Sequence, residues 1–243
     1  GVGGSYSYLK SGNYLNFLEM ERIDVARKAL MGGKTTPRIS TGKTINVYVT
    51  EEGDTFTPSD AADNKHPSGI IQDVADEARW GVAIFGKNAD GAEVVVDVTK
   101  TNLTDTYTGI ENWEPGGNTP LAEALWSLNG YFAQTTDPAE MPDSINAGNQ
   151  EGPQYNGGDY SVNDNSDPLN YGSGGSPEYA SCADSFVLYV TDGAPTADED
   201  TPSDLHSYND NPATGNTHHS NIDHSDYLED VAFYGRVNDL RST

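Results

Sequence analysis

Ser185 to Pro195, SFVLYVTDGAP, and Gly116 to Leu125, GGNTPLAEAL, decide how this chain is read. The first is a short apolar run of β-branched and aromatic residues that stops at Thr191, Asp192 and Gly193. A buried parallel strand stops in this way where it delivers a carboxylate to the edge of a sheet. The second is a glycine turn, a hydroxyl residue and a proline, followed by an amphipathic segment. A threonine from one loop and an aspartate from a strand end both offer oxygen, and hard cations such as Mg²⁺, Ca²⁺ or Mn²⁺ take oxygen ligands. Thr119 and Asp192 are therefore the candidate metal ligands. Each has a plainer reading: Thr119 as the N-cap of the helix that Pro120 opens, Asp192 as half of an Asp-Gly turn.

The pattern on either side alternates helices and strands. Asn13 to Leu30 carries apolar residues at helical spacing (Leu15, Leu18, Ile23, Ala26, Leu30), and Gly32-Gly33 ends the run. Thr44 to Thr50 reads as a strand, Glu52 to Ser68 as a loop, and Ile70 to Ala78 as a short acidic helix. Trp80 to Phe85 and Glu93 to Val98 flank Asp90-Gly91 and read as a hairpin. A helix is expected over Pro120 to Ala133, a strand over Ser185 to Thr191 and a helix over Ser225 to Asn238. Two polar segments, about 134–184 and 194–222, have no periodicity and read as insertions in a single domain spanning 1–243. The expected class is α/β with crossover connections. Ligands in such sheets gather at the carboxyl ends of the strands, where Asp192 falls.

Bulk properties narrow the function. The 243 residues carry 38 acidic side chains against 13 basic ones, a formal net charge of −25. Such a surface repels phosphate backbones and anionic lipid, so nucleic acid and membrane insertion are not expected, whereas cations are. Hydrophobic content is 35% and mean hydropathy is −0.64, as expected for long polar loops on a modest core. Cys182 is the single cysteine, so neither an internal disulfide nor a Cys-based zinc site is expected. The chain has no initiator Met, no signal-peptide core and no apolar run of about eighteen residues, and reads as a processed or excised piece.

Further clusters have functional and structural readings. His206, His218, His219 and His224 lie near Asp223 and Asp226, as transition-metal ligands or as solvated loop residues. Asp198, Glu199, Asp200 and Asp204 could join a calcium site or form an exposed acidic loop. Asp159, Asp164, Asn165 and Asp167 are spaced like calcium-loop ligands, but the EF-hand glycine and terminal glutamate are missing. Tyr155, Tyr160, Tyr171 and Tyr179 suit a recognition surface. The chain has no nucleophile elbow, Walker loop, His-Glu-x-x-His or dinucleotide fingerprint, and carboxylate pairs are too many to select a glycosidase, so no enzyme is expected.

GGNTPLAEAL and FVLYVTDGAP resemble the second and third segments of a von Willebrand factor A domain. SGNYLNFLEMERIDVARKAL (Ser11 to Leu30), GIIQDVADEARWGVAIF (Gly69 to Phe85) and YLEDVAFYGRVNDLR (Tyr227 to Arg241) look like the PilY family of type IV pilus tip-associated adhesin and biogenesis proteins of Gram-negative bacteria. The resemblance implies a Rossmann-like open sheet with helices on both faces. It also implies a metal-dependent adhesion-type site holding Mg²⁺ or Ca²⁺ at Thr119 and Asp192, and an extracellular place at the pilus tip, in adhesion and pilus biogenesis. Partners would be pilus components, the rest of the same protein, or a host or surface ligand. The family's opening strand with its Asp-x-Ser-x-Ser segment and its C-terminal propeller have no counterpart here, so the A-type domain is expected to be incomplete within this chain. A strand from another chain or from elsewhere in the protein would then pair with Ser185 to Thr191. The other reading is a structural subunit of an extracellular filament or surface assembly, completed by strands of its neighbours.

Overall fold

The fold was taken from a computed structural model, which describes residues 21–33, 48–49, 55–56, 69–74, 77–85, 91–98, 103–113, 117–146, 148, 152–153, 167–170, 178–179, 184–191, 195–198, 200–208 and 227–241. The chain divides into two compact units, 1–75 and 76–243. Both mix helix with antiparallel strand pairs, so the protein is of mixed α/β class.

In the first unit, helix α1 (Arg22–Met31) starts on a capping box: the Glu21 amide donates to Asp24 Oδ2 at 2.9 Å, and the Glu21 side chain accepts from the third helical amide. It ends where the sequence predicts. Gly32 takes a left-handed φ of 84°, and the Gly32 and Gly33 amides donate to the Lys28 and Arg27 carbonyls at 3.1 Å. Ile23 and Met31 are buried. Gly69 lies so close to the Leu30–Met31 peptide that a Cβ there would sit 2.3 Å from it, which lets helix α2 (Ile70–Asp73) pack against α1. α2 is shorter than the expected Ile70 to Ala78, with a turn at Val74. Strand β1 (Tyr48–Val49) lies within the predicted strand. Its antiparallel partner β2 (Thr55–Phe56) falls where a loop was expected.

The second unit opens with the predicted hairpin, β3 (Val82–Phe85) and β4 (Ala92–Val96), antiparallel with Phe85 opposite Ala92. Helix α3 (Leu103–Asn112) was not anticipated. Its LTDTYTGIEN sequence is rich in residues of low helix propensity. Packing stabilises it: Thr106, Tyr107 and Ile110 are buried, and Gly109 comes close enough to β4 that a Cβ would meet Val96 Cγ2 at 2.4 Å. Helix α4 (Leu121–Ala133) has a single charged residue and is buried nearly all round, as the central helix of a layered unit must be. It packs on β4 and on helix α5 (Leu228–Val237).

The core gathers Ala122, Leu125 and Trp126 of α4 with Val231 and Tyr234 of α5, and with Met141, Ile145 and Leu205 from the two segments read as insertions. Trp126 meets Tyr234 edge-on at 5.8 Å, and the Tyr234 hydroxyl donates to the Pro142 carbonyl at 2.7 Å. The described parts of the first insertion are therefore partly core. Asp167 is buried and paired with Arg241 Nη1 at 2.5 Å, while Arg79 donates to the Pro168 and Asn170 carbonyls at 2.5 and 3.2 Å.

The main departure from expectation is at Ser185 to Thr191. No ladder includes this run among the described residues, and the strands that do pair are antiparallel. Phe186 is 87% exposed and Leu188 72%, where a buried parallel strand was expected. Burial of a strand needs neighbours on both edges, and no described segment supplies one.

Gly130 tests the packing around α4. A Cβ there would stand 2.2 Å from Pro153 Cβ and 2.8 Å from the Thr135 carbonyl oxygen. Gly130→Ala is expected to destabilise the chain by about 1–3 kcal/mol although alanine is the better helix former, visible as a lower urea midpoint at unchanged m.

Candidate functional site

A helix N-terminus leaves amides without intrahelical acceptors. At α4 the position before the first helical residue is Pro120, which caps nothing with its side chain. The acceptor comes from 75 residues further along: Asp198, 1% exposed, accepts from the Ala122 amide at 2.9 and 3.0 Å with its two oxygens and from the Glu123 amide at 3.0 Å. Glu123 answers, its Oε1 accepting from the Asp200 amide at 2.8 Å. This is a capping box made between distant segments, and the helix dipole adds to the attraction for the carboxylate. The reading of Asp198 as part of an exposed acidic loop is corrected by this burial.

Two residues before Asp198 the chain joins the strand-like bridge Thr119–Thr196. The Thr196 amide donates to the Thr119 carbonyl at 3.2 Å, the Thr119 amide donates to Thr196 Oγ1 at 3.0 Å, and the two hydroxyls lie 3.2 Å apart. Between bridge and cap, Ala197 takes φ 51°, a left-handed conformation that costs a non-glycine residue about 1 kcal/mol. On the other side of Asp192, the Tyr189 hydroxyl donates to the Leu121 carbonyl at 3.1 Å, and its ring stacks on Phe85 at 6.1 Å. Burial, with the charge of Asp198 behind it, pushes the Tyr189 hydroxyl well above the usual phenol range.

Asp192 itself lies outside the described residues, as do Cys182, Glu199, His218, His219 and His224, Asp223 and Asp226, Asp159, Asp164 and Asn165, and Tyr155, Tyr160 and Tyr171. What the described residues establish is that the chain on both sides of Asp192 is bonded to the start of α4, at Leu121 and at Thr119. Other described members of the sequence clusters are held by their neighbours. His206 Nε2 lies 2.8 Å from the Thr201 carbonyl oxygen and its ring stacks on Tyr227 at 3.6 Å. Asp204 Oδ2 accepts from the Asn146 amide at 2.8 Å, and Tyr179 lies under the Arg241 guanidinium at 5.9 Å. Among the described residues no three His, Cys, Asp or Glu side chains converge. Sequence reasoning missed the role of Asp198, because a cap that closes over 76 residues leaves no local spacing to find.

With this geometry in place the comparisons are informative. Residues 3–68 match the family model for the PilY1 homolog, small alpha/beta domain. The match lies within the first unit, where the described residues form a helix and an antiparallel strand pair, and it stops short of Thr119 and Asp192. No curated protein and no solved structure matches the chain.

Asp198→Ala would strip the acceptor from two buried amides. It is expected to cost about 2 kcal/mol and to raise the exchange rates of the Ala122 and Glu123 amides above those of mid-helix α4, measured by hydrogen exchange. A second outcome concerns base. The Tyr234 hydroxyl, like that of Tyr189, is pushed above the usual phenol range by burial, aided by Tyr208 and Asp143. The unfolded chain releases these protons near pH 10 while the folded chain keeps them, so this stability is present below pH 10 and is lost as pH rises beyond it. Unfolding followed by urea from pH 9 to 12 should show that fall, and Tyr189→Phe should flatten it.

Proposed function

We propose that the chain is a binding module of a type IV pilus-associated surface protein, acting in adhesion and pilus biogenesis outside a Gram-negative cell. The similarity of residues 3–68 to the PilY1-homologue domain supports the pilus association, and no helix among the described residues is long and apolar enough to cross a membrane. Its larger unit would be a von Willebrand factor A-like domain, its site a metal-dependent adhesion-type centre at Thr119 and Asp192. Other protein chains would be its partners, and no catalytic step is required.

One observation carries the site: Tyr189 and Thr196, on either side of Asp192, are bonded to Leu121 and Thr119. The donor set fits a hard cation. A threonine hydroxyl plus a carboxylate oxygen suits Mg²⁺ or Ca²⁺. The cation would supply a Lewis-acid contact to which an acidic group of the ligand could add.

Titration of the chain with Mg²⁺, Ca²⁺ and Mn²⁺ by calorimetry is the test. Binding is expected for the native chain and a loss of at least about tenfold, or about 1.4 kcal/mol, for Asp192→Asn and for Thr119→Val, with unchanged circular dichroism. Equal binding by these variants, or none by the native chain at millimolar ion, overturns the metal reading.

A further inference from the structure

Among the described residues of the second unit, Phe186 to Val190 is the longest run of exposed apolar side chains. Exposure alternates along it: Phe186 87%, Leu188 72% and Val190 57% on one side, against Val187 41% and a partly buried Tyr189 on the other. Period-two exposure is that of a strand lying with one face down. The inner side is fastened through Tyr189, by its hydroxyl to the Leu121 carbonyl and by its ring to Phe85. The backbone of 184–191 donates and accepts no backbone hydrogen bond among the described residues. A fastened run with an unpaired edge and an apolar outer face is a template for strand addition.

The sequence around it decides what can add. Between Lys100 and Arg236 the chain contains no lysine and no arginine, and Asp184 and Asp192 flank the run directly. With a net charge of −25, a second copy would bring the same field to the contact. A segment carrying lysine or arginine meets attraction instead.

We propose that Phe186–Val190 is a docking edge for an extended, basic segment of another protein, which pairs with it as a β-strand and lays apolar side chains over Phe186, Leu188 and Val190. Main-chain hydrogen bonds would hold the segment, the apolar face would set its register, and the acidic surroundings would speed its arrival and exclude acidic competitors.

The test uses the full chain in EDTA, so that its outcome is independent of the cation site, and three fluorescent probes: a short peptide alternating valine and lysine, its valine–glutamate counterpart, and the valine–lysine peptide N-methylated at alternate residues. Anisotropy is expected to report binding of the first at low salt, weakening as salt is raised. The N-methylated form, which cannot complete the ladder, and the glutamate form should bind at least about tenfold more weakly, as should the native peptide with Phe186→Ser/Leu188→Ser chain. Both side chains are exposed, so that variant should melt like the native chain, and the peptide comparison stands without it. Equal binding of the plain and N-methylated peptides overturns the proposal, since the contact is then charge alone. So does absence of binding at low salt, or sedimentation showing that the chain dimerises through this run.

Discussion

The larger unit depends on one contact, the Asp198 carboxylate on the first amides of α4. A helix with apolar residues nearly all round must sit inside, and a buried helix start cannot leave its amides to water. Once Asp198 supplies the acceptor, its loop is positioned: Ala197 turns left-handed, Thr196 bridges Thr119, and the Asp200 amide meets Glu123. α4 then has fixed faces for the hairpin on one side and α5 on the other. The same contact shows how an acid can be buried in a stretch without lysine or arginine. Backbone amides and the positive end of the helix dipole take the place of a cationic partner.

That substitution recurs wherever this acidic chain needs order. Hydroxyls of tyrosine reach backbone carbonyls from Tyr189 and Tyr234, and the Tyr208 hydroxyl donates to Asp143 while accepting from Asn238 Nδ2 at 2.9 Å. Three aromatic rings, Trp126, Tyr234 and Tyr208, meet edge to face through the core, where their area compensates for few aliphatic residues. Arg79 and Arg241, both outside the lysine- and arginine-free stretch, hold Asp167, Pro168 and Asn170.

Legibility followed the range of the interaction. α1 with its Gly32-Gly33 stop, the hairpin across Asp90-Gly91, and the helices at Leu121–Ala133 and Leu228–Val237 could all be read, because spacing, turn residues and end signals act within a few positions. The PilY resemblance seen at Ser11 to Leu30 lies within the segment matched by the family model, whereas Gly69 to Phe85 and Tyr227 to Arg241 fall outside it. α3 was missed because threonine, aspartate and glycine conceal a helix that packing against β4 stabilises. Met141 and Ile145 were taken for loop because single apolar residues in polar sequence have no period. The aspartate that accepts from the Ala122 and Glu123 amides comes from another part of the chain, beyond any local spacing.

By itself the sequence determined the mixed α/β class, the polyanionic surface and the positions of the regular helices, since composition and local periodicity carry those. Only the tertiary structure decided that Asp198 closes the start of α4, that both described flanks of Asp192 are tied there, and that Phe186 to Val190 is uncovered rather than buried. These are outcomes of contacts between segments tens of residues apart, and whether an apolar strand ends inside or outside depends on which neighbours reach it, not on its own side chains.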